Sequence, residues 1–360
     1  MQHAASAEIR PLAKGVRTRL RSEVHIPSVA HLLFELVANS MDAHATSVRV
    51  RSHLAAHRLE VADNGDGILA ENLCGSLTKR SYTTKHSSSS QASGSSHGYR
   101  GEALASICTL AQIKITSRRR HATRTYCAVF RGNRQLSCAP VPNLFSHGTV
   151  IEVSDIFYCV PVKRKFLRAT GRQVETLRQL LQSWALAYPA CAFSLDEESY
   201  SHSLLNLSSS TSLRDRFEQI FGASKASSMQ EIHVESSNLS ATGLFLLRDG
   251  TPHTSKALQF LFVNGWRVQT GCIVNEIING TYAKHYRKMG LQHRARHPTY
   301  VLQLSCSPGN CELLLCDLGC EVLFPQPAEV LSVVAHLLAH LFPSTHTLPS
   351  VSSSSSSSSS

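Results

Sequence analysis

The sequence lacks long apolar runs, close cysteine pairs and the usual share of charged residues. No stretch approaches the roughly 20 consecutive apolar residues that a membrane-spanning helix needs, and the N-terminus has no apolar core of a secretion signal. Only 17% of the residues are charged, against roughly 25% in an average protein. The lack of a membrane-spanning run argues against a transmembrane protein, and the lack of a secretion signal argues against a secreted one. We therefore expect a soluble chain with no membrane partner.

What the sequence does contain is a basic charge balance and enough apolar residues for folded domains. Lys and Arg total 36 against 25 Asp and Glu, a formal net charge of +11, and 42% of the residues are hydrophobic. A positive excess favours polyanionic partners, with nucleic acid first among them. The length of 360 residues exceeds the roughly 250–300 that one hydrophobic core usually supports, so two domains are expected.

The eleven cysteines are odd in number, mostly scattered, and include no CxxC pair. This usage fits a reduced, intracellular compartment better than a disulfide framework. One group, Cys306, Cys311, Cys316 and Cys320, loosely resembles a four-ligand zinc set. Its spacings are wider than those of structural zinc sites, so we favour buried cysteines that pack as small hydrophobes over zinc ligands.

The residue pattern predicts two domains of mixed helices and strands. Residues 26–42 carry apolar side chains at helical spacing and predict an amphipathic helix. Two alternating runs, at 48–51 and 58–61, predict paired strands. The order of elements changes after about residue 155, which marks a boundary between domains. We therefore expect a first domain at 1–158, a second at 159–345 and a disordered serine-rich tail at 346–360.

Glu35 and Asn39 lie one helical turn apart in the first predicted helix. Side chains at positions i and i+4 face the same side, so a carboxylate and an amide can meet one ligand there. The carboxylate suits a general base for water, and the amide oxygen suits Mg²⁺. Taken alone, the pair is more typical of a solvated helix face.

Three further motifs supply glycines, hydroxyls and backbone N–H groups. The run from Asp63 to Gly67 follows a predicted strand; its glycines let a flat ligand approach the backbone, and the Asp63 carboxylate can accept from an exocyclic amine. Thr83, Thr84 and Lys85 suit a phosphate, and Gly98 to Gly101 precede a predicted helix whose first N–H groups can bind phosphate. Each motif is weak by itself, and the sequence contains no Walker A pattern.

In this order and spacing the four motifs resemble the Bergerat-type ATP site of type II topoisomerases, Hsp90, sensor kinases and MutL proteins. The run from Gly98 to Ile107 is similar to the MutL signature GFRGEALxSI. The resemblance covers about residues 12–325 and includes the segments 34–43, 80–85, 148–149, 161–167 and 262–265. Within the family, the altered segment at 19–28 and the long polar insertion after Lys85 resemble the meiotic MutL homologue 3 subfamily.

The resemblance implies a role for each matched residue. Glu35 is expected to orient and deprotonate the attacking water, Asn39 to hold Mg²⁺, and Asp63 to accept from the adenine amine. Thr149 would assist through a water, and Gly67 would line the base pocket. The resemblance also makes residues 74–100 a lid that is ordered only with ATP. The phosphates of ATP are expected at Thr83, Thr84, Lys85, Gly98, Arg100, Gly101, Glu102, Ala103 and Leu104.

One position departs from the family pattern. The segment at 313–324 matches the family's VNVHPAKxEVRF, but Gly319 stands where a lysine reaches the γ-phosphate. We expect ATP binding to persist and hydrolysis to be slow.

Basic residues cluster at three places along the chain. They are Arg118 to Arg120, Lys163 to Lys165, and Arg294 with Arg296. Each alone is typical of a solvated surface. With the net charge and the resemblance, we interpret Lys163, Arg164 and Lys165 as contacts to DNA phosphates. No base-reading motif is present, so DNA binding should be sequence-tolerant and salt-sensitive.

The resemblance implies a Bergerat-type (GHKL) ATP-binding α/β sandwich followed by a ribosomal-S5-like α+β domain. It implies a Mg²⁺-dependent ATPase that acts as an ATP-driven clamp in mismatch repair or meiotic recombination, in the nucleus. The implied partners are another MutL homologue in a heterodimer, MutS-type proteins and DNA. Gly319 favours the alternative of a non-hydrolysing ATP-switched scaffold, whereas a sensor kinase leaves the second-domain matches unexplained. Because the chain ends before the family's C-terminal region, we expect a fragment.

Overall fold

A computed structural model describes most of the chain as helices, strands and short connections. The described residues are 12–75, 103–132, 134–143, 146–167, 170–236, 238–246, 256–269, 271–288, 297–307, 309–316 and 318–341. Their helices are α1 (Lys14–His25), α2 (Val29–Asp42), α3 (Ala70–Gly75), α4 (Ala103–Leu110), α5 (Pro161–Phe166), α6 (Thr170–Ala187), α7 (Leu213–Phe221), α8 (Ala223–Ser227), α9 (Ile273–Lys288) and α10 (Pro327–Leu341).

The strands lie between these helices. They are β1 (Ser47–His53), β2 (Arg58–Asp63), β3 (Gln112–Arg118), β4 (Thr125–Arg131), β5 (Arg134–Val141), β6 (Gly148–Ser154), β7 (Ala192–Glu197), β8 (Leu205–Leu207), β9 (Met229–Glu235), β10 (Leu239–Leu246), β11 (Gln259–Val263), β12 (Trp266–Arg267), β13 (Tyr300–Cys306), β14 (Glu312–Cys316) and β15 (Gly319–Leu323). Within the described residues, no helix combines the length and apolar character needed to cross a membrane.

The chain divides into two compact units. The first comprises Met1–Ala226 with Cys316–Gly319, and the second comprises Ser227–Leu315 with Cys320–Ser360. The division at 226/227 lies later than the predicted boundary at 158/159. The reason is a long-range contact: β7 pairs in parallel with β1, so the chain after residue 158 completes the first sheet. The Trp184 ring of α6 also lies 5.4 Å from the Phe34 ring of α2.

The first unit is built on an eight-stranded sheet in the order β5-β4-β3-β6-β2-β1-β7-β8. The predicted strands at 48–51 and 58–61 are confirmed as β1 and β2, which pair antiparallel. One face of the central strands is apolar and buried, through Val50, Val61, Ile115 and Ile151 among others. Helices pack on this face, as the alternation of the strands predicts.

Helix α2 confirms the predicted amphipathic helix. Ser28 caps it, because its side-chain oxygen accepts from the His31 backbone N–H at 3.3 Å. Its apolar side chains are buried, whereas Glu35 and Asn39 are only half-buried. Glu35 and Asn39 therefore lie at the edge of the buried face of α2, as the sequence pattern predicted.

The second unit has a five-stranded sheet in the order β12-β11-β13-β10-β9, and β14 and β15 form a separate two-stranded sheet. All five residues of β11 are buried. Helix α10 contributes an apolar face to the core through Val330, Val333, Val334, Leu337 and Leu338. The predicted tail at 346–360 lies outside the described residues.

Candidate functional site

Three polar side chains form one row at the end of the first sheet. Asp63 of β2 is the register partner of Thr149 in β6, and Thr149 is the partner of Ser117 in β3. Side chains two residues apart along a strand share a face. The preceding row on this face is apolar and consists of Val61, Ile151 and Ile115. The buried face of the sheet therefore ends in a polar strip, and polar groups there need partners.

The Asp63 carboxylate is held by three hydrogen-bond donors. Its Oδ1 accepts from the backbone N–H of Gly65 at 2.9 Å and of Thr149 at 3.3 Å. Its Oδ2 accepts from Ser40 Oγ at 3.1 Å. Burial raises the pKa of Asp63 above its ordinary value even though these donors lower it. The carboxylate is thus fixed in place with its remaining acceptor capacity available to a ligand.

The loop after β2 can form only because glycine occupies one critical position. Gly67 has a φ of +72°, and a Cβ there would lie 2.2 Å from the Arg118 carbonyl oxygen. The loop is also tied down at Asp66, which contacts Arg120 at 3.1 Å and His44 at 2.9 Å. The hydrogen bond from His44 holds the pKa of Asp66 below its ordinary value. A larger side chain at residue 67 would displace this loop from β3.

Glu35 is the most strongly perturbed carboxylate near this row. It lies on α2, one turn before Asn39 and on the same helix as Ser40, which contacts Asp63. Burial raises the pKa of Glu35 from 4.5 to about 7. A carboxylate with a pKa near neutrality is well matched to taking a proton at physiological pH.

The Asn39 side chain is the other polar group on this helix face. Its Nδ2 atom is buried and has no hydrogen-bond partner among the described residues. The described residues also contain no group of three His, Cys, Asp or Glu side chains that could hold a metal ion. Mg²⁺ is commonly held by one or two protein oxygens together with substrate phosphates. The unpaired Nδ2 is a donor that suits an acceptor such as a phosphate oxygen, whereas only the Oδ1 oxygen of the same amide can bind Mg²⁺.

Several predicted ligands fall outside the described part of the chain. These are Thr83, Thr84, Lys85, Gly98, Arg100, Gly101 and Glu102, and the predicted lid at 74–100 overlaps the same region. Ala103 and Leu104 are described, and they begin α4.

The three predicted DNA contacts do not form a free basic surface. Lys163 Nζ donates to the Glu23 carbonyl oxygen at 3.0 Å and lies 5.3 Å from the Phe157 ring. Arg164 pairs with Asp155 at 3.4 Å. Burial lowers the pKa of Lys163 below its ordinary value. Only Lys165 of the three is exposed.

The cysteines differ in part from expectation. Cys74 of α3 and Cys138 of β5 are joined by a disulfide, with Cα atoms 5.6 Å apart. The expectation of reduced cysteines is therefore wrong for this pair, because the fold brings together two residues 64 positions apart. Cys306 and Cys320 are buried, as expected for small hydrophobes, and Cys311 is half-buried.

Sequence reasoning missed two residues that complete the site. Ser40 donates to Asp63, and Ser117 contacts Thr149 at 3.0 Å. Ser40 directly follows Asn39, so the helical pattern offered a weak signal for it. Ser117 has no such signal, because only strand pairing places it beside Thr149.

Comparison with known proteins gives this geometry a family context. Residues 27–135 match the family described as "Histidine kinase-, DNA gyrase B-, and HSP90-like ATPase", and residues 217–342 match "DNA mismatch repair protein, C-terminal domain". The "Aquifex aeolicus MutL ATPase domain complexed with ADP" matches with a TM-score of 0.56 and 22% identity, over 89% of this chain and 98% of that chain. The first unit thus has the fold of the GHKL class of ATPases, which confirms the predicted fold class.

Relatives narrow the assignment further. Human "DNA mismatch repair protein Mlh3" is 31% identical over 71% of this chain and 18% of its own length. "DNA mismatch repair protein MutL" of Coxiella burnetii (strain CbuG_Q212) is 29% identical over 85% of this chain and 52% of its own length. The chain belongs to the MutL family of DNA mismatch repair proteins, as the motifs predicted. It spans about half the length of this bacterial relative.

Proposed function

We propose that the chain is the ATP-binding and hydrolysing part of a MutL-type protein. The observation that carries this proposal is the polar strip at the end of the first sheet, with Glu35 and Asn39 on the helix beside it. Asp63 is the anchor for adenine. Its carboxylate is held by Ser40, Gly65 and Thr149, so it can accept from an exocyclic amine without reorganising.

Glu35 acts as the general base in this proposal. Its pKa of about 7 leaves a large fraction ionised at physiological pH while keeping the carboxylate basic enough to take a proton from water. Asn39 would hold Mg²⁺ together with the phosphates of ATP. When bound, Mg²⁺ supplies positive charge that neutralises the phosphate oxygens.

Hydrolysis is proposed to be slow because of Gly319. This residue begins β15, at the position where the family pattern has a lysine. A fixed cation near the γ-phosphate stabilises the charge that develops during phosphoryl transfer. The alternative function, a non-hydrolysing scaffold switched by ATP binding, is favoured by this one substitution.

The role of the whole protein rests on the family. We propose that ATP binding closes a lid and drives association with another MutL homologue around DNA, as a clamp in mismatch repair or meiotic recombination. MutS-type proteins and a nuclear location follow from the same resemblance. The basic balance of the chain supports a polyanionic partner.

The test is to measure ATP affinity and turnover on the same protein. Glu35→Ala should retain ATP and lose turnover by about 10²–10⁴-fold, since a general base contributes that much. Parent turnover should fall as the pH drops below about 7, because protonated Glu35 cannot accept a proton. Glu218→Ala, on the exposed side of α7, is the matched control. Equal losses of binding and turnover in Glu35→Ala would remove it from the role of base.

A further inference from the structure

Ser117 makes three hydrogen-bond contacts through a single hydroxyl oxygen. Its Oγ accepts from the Ile68 backbone N–H at 2.8 Å. It also lies 3.0 Å from the Gly148 carbonyl oxygen and 3.0 Å from Thr149 Oγ1. Ser117 is 1% exposed and Thr149 is 5% exposed, so both hydroxyls need hydrogen-bond partners within the protein.

One arrangement of protons satisfies all three contacts. A serine hydroxyl has one hydrogen and two acceptor lone pairs. The Gly148 carbonyl oxygen can only accept, so the Ser117 proton must point to it. Ile68 then occupies one lone pair, and the other lone pair must accept the Thr149 proton. The Thr149 hydroxyl is therefore held as a donor to Ser117.

This assignment fixes what Thr149 can offer to a ligand. Its one proton is engaged by Ser117, so Thr149 Oγ1 can present only lone pairs to a ligand. Asp63 lies on the neighbouring strand and accepts from the Thr149 backbone N–H at 3.3 Å. The strip thus presents two acceptors side by side. That pair matches an exocyclic amine with two N–H donors and repels a carbonyl oxygen.

We infer that Ser117 is a positioning residue that sets base specificity: by holding the Thr149 hydroxyl as an acceptor, it selects 6-amino over 6-oxo purine nucleotides. This inference rests on the proposed binding of an adenine nucleotide at Asp63. The inference goes further than that binding, because it assigns a role to Ser117 and a direction to the Thr149 hydroxyl.

The test compares the affinities of ATP and inosine triphosphate, which carries a 6-oxo group, by equilibrium binding. The parent should strongly prefer ATP, since a site built for one hydrogen-bond pattern rejects the analogue that lacks it. Ser117→Ala frees the Thr149 hydroxyl to rotate and donate to the 6-oxo group. The ratio of the two affinities should then fall by about tenfold. Ser117→Thr, which keeps the hydroxyl, should restore the parent ratio.

Two further variants separate specificity from folding. Thr149→Val removes the acceptor, so it should weaken the binding of ATP and strengthen that of inosine triphosphate, and adding Ser117→Ala to it should not alter the ratio of the two affinities further. Thr116→Val is the matched control, because Thr116 is a buried hydroxyl on the same strand and the opposite face.

The results of these binding measurements distinguish failure of the proposed function from failure of the inference about Ser117. A parent that binds neither nucleotide refutes the proposed function. A parent that binds both equally, or a Ser117→Ala variant that weakens both by the same factor, overturns the inference and leaves ATP binding intact. If Ser117→Ala does not fold, Thr149→Val decides alone, and equal loss of both nucleotides in that variant also overturns it.

Discussion

Replacing Glu35 with glutamine should stabilise the fold while abolishing turnover. Glu35 lies on α2, where burial of its carboxyl raises the pKa from 4.5 to about 7. A raised pKa means that the folded protein holds the proton more tightly than the unfolded chain does. The ionised carboxylate is therefore a source of instability that its proposed role as base makes necessary.

The size and sign of this effect follow from proton linkage. Each pH unit between the two pKa values corresponds to about 1.36 kcal/mol. The rise from 4.5 to about 7 thus destabilises the ionised state by about 3 kcal/mol. Below pH 4.5 the carboxyl is protonated in both states and no penalty exists. The penalty grows between pH 4.5 and about 7 and is complete above that.

Urea unfolding at pH 5 and pH 8 measures the effect directly. Glu35→Gln should gain up to about 3 kcal/mol at pH 8 and less than about 1 kcal/mol at pH 5, because most of the penalty is absent at the lower pH. Glu218→Gln on the exposed side of α7 should change neither value. If Glu35→Gln gained the same free energy of unfolding at both pH values, or none at pH 8, burial would not be the cause of the raised pKa of Glu35.

Three other predictions test features outside the strip. Without reductant, Cys74→Ser should lower the free energy of unfolding by about 4 kcal/mol, because the bond closes a 64-residue loop; with reductant the difference should vanish, and a loss that persists would contradict this. Because Lys163 and Arg164 are engaged within the fold, Lys165→Ala should flatten the salt dependence of DNA affinity by about one phosphate. If replacing Lys163, Arg164 and Lys165 together flattens the salt dependence by about three phosphates, all three residues contact DNA, as the sequence predicted. Gly319→Lys should raise ATP turnover by up to about 10²-fold with little change in ATP affinity, and unchanged turnover would show that Gly319 does not limit hydrolysis.

The local pattern of the sequence determined much of the first unit. Apolar spacing predicted α2 and placed Glu35 and Asn39 together on its polar side, and alternation predicted β1 and β2. These features depend on residues a few positions apart, where helical and strand periodicity act directly. Polar, mostly exposed α1 and the exposed edge strand β5 carry no comparable apolar pattern, so they were missed.

Only the tertiary structure decided which distant residues meet. A strand's own pattern tells which side chains share a face, but it does not tell which strand lies beside it. Because β7 pairs with β1, the division between the units lies at residue 226 and not near residue 158. The same kind of pairing placed Ser117 against Thr149 and joined Cys74 to Cys138. These contacts link residues 32 and 64 positions apart, a separation over which the chain has no local periodicity to predict them.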